Sequence, residues 1–276
     1  MSIVMPCCRP KVSLSEIGTS FPSASPKVMP MTNNATVIST HVRVGGQLAT
    51  LDAFDESDVR ALNSLMSYRR LDRGQSLITE GDQTTCVYGV VSGGIKLLKS
   101  LRDGRTQMTA YLLCGELLGV PPCTYPYSVE GLSDTILWRL PIGPLEIVFQ
   151  QNPKLRLWLA NATYDQIGAA YDHMLLLGQK TMMERVCSFL IDLSERVERN
   201  SGPVEFLTIP LRRSEIGDYL GMTTETVSRG FSRLKRDGLI SMRQADKITA
   251  IDRAALIEFA NGGRPKRSPD RRCGQH

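Results

Sequence analysis

One stretch, Ser214-Glu215-Ile216-Gly217-Asp218-Tyr219-Leu220-Gly221-Met222-Thr223-Thr224-Glu225-Thr226-Val227-Ser228-Arg229, restricts the fold of this chain more than any other. Ile216 and Leu220 share one face of a short helix, and Gly221 supplies a sharp turn after it. Thr223 is placed to cap a second helix, in which Val227, Phe231 and Leu234 recur at spacings of 4 and 3 and turn inward. Gly217 leaves room for that second helix to pass close. Two short apolar runs, 239–242 and 248–251, flank Gln244-Ala245-Asp246-Lys247 and predict a two-stranded wing. An ordinary helical hairpin with a charged outer face shares some of these features, but not the cap, the turn and the wing together.

The outer face of the second helix carries Glu225, Ser228, Arg229 and Ser232, beginning at its N-terminus. Arg229 can donate two parallel hydrogen bonds to guanine, Glu225 can accept from the cytosine amino group, and Ser228 is short enough to approach a thymine methyl or a phosphate. A carboxylate on a face turned to DNA is repelled by phosphate unless it meets a base donor, which favours base reading by Glu225. Arg212, Arg213, Arg233 and Lys235, with Thr223, Thr224 and Thr226, are candidates for phosphate and positioning contacts. The net charge is only +5, so its placement matters more than its size. Arg212, Arg213, Arg229, Arg233, Lys235, Arg236 and Arg243 outnumber Glu215, Asp218, Glu225 and Asp237 over 212–243, as a phosphate-facing surface requires. Double-stranded DNA is the expected partner.

The rest of the chain divides by changes in period. Residues 1–45, rich in Ser, Thr and Pro, predict a poorly ordered arm, and 261–276 a basic tail. Residues 46–148 predict a β-domain of short strands broken by Gly and Pro, after short helices that start near Asp55-Glu56-Ser57-Asp58. Its clearest hairpin runs through Asp103-Gly104. Over 149–178 Leu157, Ala160, Tyr164, Ile167, Tyr171 and Met174 follow spacings of 3, 4, 3, 4 and 3. That heptad seam predicts a dimerisation helix and a homodimer, against the alternative of a helix that covers only its own domain. The remaining segment, 179–260, holds a further helix over 184–197 and the winged helix-turn-helix. The expected fold class is α+β: an N-terminal β-roll sensor domain, a long dimerisation helix and a C-terminal winged helix-turn-helix. No apolar run is long enough to span a membrane and no signal-peptide pattern opens the chain, so a soluble cytoplasmic protein is expected.

Residues 184–242 resemble the CRP/FNR family of bacterial transcription regulators, and Ile216 to Gly221 followed by Glu225 to Arg229 is most similar to its FNR and FixK branch. Weaker likeness extends through Gly74, Glu80-Gly81-Asp82, Val91-Ser92-Gly93 and Gly115-Glu116. The resemblance implies that Glu225, Ser228 and Arg229 read an inverted repeat of the TTGAT type. It also implies an activator of microaerobic or nitrogen-fixation genes, with RNA polymerase as a partner. Relatives that bind cyclic AMP hold its phosphate with an Arg-Ser or Arg-Thr pair. Here Tyr127-Ser128 stands at that point and no Arg lies between Leu117 and Val129. Cluster-bearing relatives use spaced N-terminal cysteines and one in the β-domain, but Cys7 and Cys8 are adjacent and Trp138 takes the second place. No cofactor is therefore expected.

The remaining candidates are weaker. Cys114 and Cys123 could form a redox pair beside the Gly-Pro-rich loop, against the alternative that the thiols of the β-domain, Cys86 included, are inert packing. Cys187 reads as core, and His173 as a surface or interface residue rather than a haem ligand. A metal-dependent cupin enzyme would need clustered histidines, yet His41, His173 and His276 all fall outside the β-domain. A passive DNA-architectural protein would not need a separate sensor-like domain. The chain is not expected to be an enzyme.

Overall fold

The structure, a computed structural model, describes residues 56–119, 123–202 and 204–263. The expected arm over 1–45 and the tail beyond Gly263 lie outside the described residues. After α1 (Glu56–Leu65) come β1 (Ser67–Leu71), β2 (Ser76–Ile78), β3 (Cys86–Ser92), β4 (Gly94–Ser100), β5 (Thr106–Leu113), β6 (Leu117–Leu118), β7 (Ser128–Gly131) and β8 (Thr135–Pro141). They form two antiparallel sheets, ordered β1-β8-β3-β6 and β2-β7-β4-β5.

Alternation along the strands decides what each sheet covers. Leu71, Tyr88, Val90 and Leu137 of one sheet meet Ile78, Ile95, Leu97 and Val129 of the other in a sandwich core. The intervening residues Val87, Trp138 and Leu140 point the other way, onto helices. There they meet Leu62 of α1, Leu145 and Phe149 of α2 (Ile142–Gln151), and Leu155 and Ala162 of α3 (Pro153–Gln179). The expected boundary at residue 149 thus falls inside α2. The long helix begins at Pro153 because the Asn152 side chain accepts from the backbone N–H of Lys154 and proline suits the first helical position.

The second sheet is covered on its outer face as well. Thr109 is an extra residue in β5, since Leu97 faces Ala110 and Leu98 faces Met108. That bulge puts Met108 in one buried cluster with Tyr111 and Leu113, together with residues of the C-terminal domain. This domain comprises α4 (Met182–Ser201), β9 (Leu207–Thr208), α5 (Arg213–Leu220), α6 (Thr224–Arg236), β10 (Ile240–Gln244), β11 (Lys247–Ile251) and α7 (Arg253–Ala260). The three strands pair in the order β10-β11-β9. Phe189, Leu190 and Leu193 of α4 and Ile216 and Leu220 of α5 complete the shared core. The fold is the α+β arrangement expected from the sequence. No helix among the described residues is long and apolar enough to cross a membrane.

Candidate nucleic-acid interface

The turn between α5 and α6 is tight for two local reasons. Gly221 adopts the left-handed conformation, φ 63 and ψ 43, which a side chain disfavours. A Cβ on Gly217 would stand 2.6 Å from the Met222 carbonyl oxygen, so only glycine lets the turn fold back on α5. Thr223 then accepts from the backbone N–H of Thr226 at 3.2 Å and starts α6. Val227, Phe231 and Leu234 are buried, which turns the opposite face outward.

That outward face carries Glu225, Ser228, Arg229 and Ser232, all exposed. Arg229 Nη2 lies 2.5 Å from Glu225 Oε1, with both side chains about three-quarters exposed. An exposed pair one helical turn apart is worth only about 0.3–0.5 kcal/mol, so it orients both groups without locking them away. Ser228 Oγ donates to the Thr224 carbonyl at 2.9 Å. The Thr223 and Thr226 hydroxyls lie 2.8 Å apart. Arg212, Thr224 and Lys235 are exposed. Arg233 stands 3.5 Å from Asp237 and 5.6 Å from the Phe259 ring centroid.

Arg213 differs from the sequence expectation. Its guanidinium lies 3.5 Å from the Phe231 ring centroid and donates to the Ala245 carbonyl, fastening α5 to α6 and the wing instead of standing free for phosphate. The wing adds cations to which the sequence reading gave no individual contact role. Arg243 and Lys247 line a pocket of about 180 Å³ with Phe206, Gln244 and Thr249. Their only sequence signal is basic charge on both sides of the wing turn. Arg185 was also missed. It donates to the carbonyls of Leu177, Lys180 and Leu220, tying the ends of α3 and α5 to α4.

On α3, Leu157, Tyr164, Ile167, Tyr171 and Met174 are exposed and Ala160 is half-buried. Leu155, Ala162, His173 and Leu176 are the buried side of the same helix. His173 is therefore not a surface residue: its ring lies against Tyr219 of α5, inside the chain.

The β-domain does not fit a cyclic nucleotide. Glu116 is occupied, accepting from the backbone N–H of Leu113 and from two nitrogens of Arg196 on α4, at 2.8 and 2.5 Å. Ser128 Oγ accepts from the Glu80 backbone N–H, and Lys99 is held by the Glu80 carboxylate and the Pro126 carbonyl. No cation stands between Leu117 and Val129 to hold a phosphate. Among the described residues no three metal-ligating side chains gather, and Cys7 and Cys8 lie outside them. Trp138 is packed in the core. Cys86 and Cys187 are buried, and burial pushes the Cys187 thiol up to about 12. Cys114 and Cys123 are exposed and unpaired with each other. The Cys114 thiol donates to the Val91 carbonyl at 2.9 Å, and burial of the sulfur with the nearby Glu116 charge raises its pKa.

Comparison with known proteins identifies both domains. Residues 184–259 match the Crp-like helix-turn-helix domain, and residues 68–152 match the cyclic nucleotide-binding domain. The chain is 36% identical to the transcriptional activator protein FnrL of Cereibacter sphaeroides, over 76% of this chain and 89% of that protein. It is 30% identical to the nitrogen fixation regulation protein FixK of Bradyrhizobium diazoefficiens, over 77% and 90%. The solved structure of FixK2 from Bradyrhizobium japonicum superposes with a TM-score of 0.65 at 31% identity, over 70% of this chain and 96% of that one.

Proposed function

The chain belongs to the CRP/FNR family of DNA-binding transcription regulators, not enzymes, and from that premise we propose that it is a FixK-like activator acting as a homodimer on an inverted repeat of the TTGAT type. The observation that carries this reading is the exposed face of α6. Glu225, Ser228 and Arg229 stand together at the helix N-terminus, where a recognition helix meets base edges. Arg212, Arg233, Lys235, Thr223, Thr224 and Thr226 surround that face as phosphate and positioning contacts, with Arg243 and Lys247 reaching the backbone from the wing. The apolar stripe of α3 supports dimerisation, because contiguous exposed apolar surface on one helix calls for a matching helix. RNA polymerase is the second macromolecular partner, the cytoplasm the compartment, and microaerobic or nitrogen-fixation genes the targets.

The occupied Glu116 and the lack of a phosphate cation favour DNA binding without a small effector, so control falls on how much protein is made. A gel-shift titration in air, with no nucleotide, haem or metal added, tests this. Retardation of a TTGAT inverted repeat ahead of a scrambled duplex is expected. Retardation only under anaerobic conditions, with iron and sulfide in the protein, overturns it.

A further inference from the structure

The β-roll grips the first helix of the helix-turn-helix through a polar joint centred on Glu215. Arg73, in the turn after β1, places Nη1 3.1 Å from both Glu215 carboxylate oxygens and donates through Nη2 to the Pro210 carbonyl at 3.0 Å. Lys96 of β4 stands 3.6 Å from Glu215 and 3.3 Å from Glu130. The same Glu215 carboxylate accepts from the Arg212 backbone N–H at 2.8 Å, closing the start of α5. Beside this hub the Gln107 amide donates to the Asp218 carbonyl, and Tyr111 meets Tyr219 edge to face, centroids 5.1 Å apart. The Lys96 and Glu215 side chains are largely buried, so this is not a loose surface pair.

We infer that Arg73 and Lys96 are positioning residues for DNA recognition: from the sensor domain, they set the bearing of the recognition helix. The covalent path from α3 to the C-terminal domain passes through two extended residues, Lys180 and the Thr181 cap of α4. Rotation there would swing α4 to α7 as one body. Apolar packing of Met108 resists separation but not sliding, because it has no direction, and Arg196 of α4, bound to Glu116 and to the Tyr111 carbonyl, ties α4 but not α5 to the β-roll. An arginine that gives one nitrogen to the Glu215 carboxylate and the other to the Pro210 carbonyl does have direction, and sliding by about an ångström stretches both contacts beyond hydrogen-bond length. Since α6 is packed onto α5 through Val227, Phe231 and the Gly217 contact, whatever holds α5 holds the base-reading face.

This inference rests on the dimeric reading proposed above, because bearing matters only when two recognition helices must meet two half-sites together. The test uses the full chain with the substitutions R73M, K96M, R73M/K96M and R73K. All of these positions lie in the β-domain, outside the winged helix, and thermal melts confirm folding. The double variant is expected to bind the inverted repeat about tenfold more weakly, within the range that coupling between two parts of a protein supplies. Its affinity for a duplex with one half-site should be unchanged, and its preference for the natural spacer over one lengthened by a base pair should shrink. R73K, which keeps the charge but not the two-nitrogen geometry, should recover only part of the loss.

An equal fall on half-site and full site marks a merely structural role and overturns the inference. Unchanged binding overturns it too, and stronger binding would make the joint an inhibitory contact. Sedimentation of the unaltered protein separates the two readings. A monomer there overturns the dimer and this inference together, whereas a dimer whose variants keep full affinity and spacer preference overturns the joint alone.

Discussion

Tyr219 of α5 lies stacked on His173 of α3, ring centroids 4.1 Å apart and planes 17° from parallel. The contact joins the long helix to the helix-turn-helix, and neither His173 nitrogen has a hydrogen-bond partner among the described residues. Burial holds the His173 pKa below its ordinary 6.5, the Arg185 charge adds to this, and Asp192 opposes it. The neutral ring is therefore the one that fits.

A pH dependence with a definite sign results. The unfolded chain takes up the His173 proton near pH 6.5, whereas the folded chain refuses it until the pH is lower. Between those values the unfolded state binds more protons, so stability rises with pH. The contribution is complete above pH 6.5 and is lost as pH falls through the folded value. Melting temperatures measured from pH 7.5 down to about 5 should fall, and fall less steeply in His173→Phe. Phenylalanine keeps the stack and leaves no nitrogen unpaired, so it should also add about 1 kcal/mol at neutral pH. Identical slopes in the two proteins would exclude His173 as the source.

Gly217→Ala should destabilise the C-terminal domain by about 1–3 kcal/mol, the usual cost of inserting a methyl group where packing has no room. The atom it meets is the backbone oxygen of Met222, 2.6 Å from the new Cβ, and a carbonyl in a tight turn cannot rotate aside as a side chain can. Denaturant titration measures the loss. An unchanged midpoint would show that the turn is looser than this geometry requires.

The parts of the fold that were legible in the sequence are those set by local pattern. The two helices around Gly221, the wing and the hairpin through Asp103-Gly104 carry their period and their turn chemistry within a few residues. The joint between β-roll and α5 was not legible, because Met108 reaches that face only through the bulge at Thr109, and a bulge there has no composition of its own. The same limit applies to side chains that could serve either of two settings. Arg213 reads as a phosphate contact until Phe231 is placed beneath it, and His173 reads as a surface or interface residue until α5 is laid across α3. Helix α2 was missed because its buried pair, Leu145 and Phe149, is too short a stripe to separate from strand β8 before it.

Arg229→Ala should weaken binding to the specific site by about 1–3 kcal/mol, the worth of one bidentate base contact, and change binding to random duplex much less. In the free protein Arg229 is paired with Glu225 across an exposed turn, so its removal should leave the melting temperature nearly unchanged. Parallel titrations on operator and random DNA provide the check. An equal loss on both would make Arg229 a phosphate contact.

Ile167→Asp tests the seam on α3. In the single chain Ile167 is 45% exposed, so an aspartate there can stay hydrated and the protomer should still fold. In a dimer packed along Leu157, Tyr164, Ile167, Tyr171 and Met174, the same aspartate would face its counterpart from the partner in apolar surroundings. An unpaired buried charge costs about 3–5 kcal/mol, and here two like charges would be buried together, so association should fail at concentrations where the unaltered protein is paired. Operator affinity should fall with it, because one protomer covers one half-site and the second recognition helix, about 34 Å away along the duplex, is lost. The melting transition of the isolated protomer and its weak binding to a single half-site should persist, which separates loss of pairing from loss of folding. Sedimentation equilibrium gives the direct reading. A variant that still sediments as a dimer would remove α3 as the interface and require the apolar stripe to be covered in some other way.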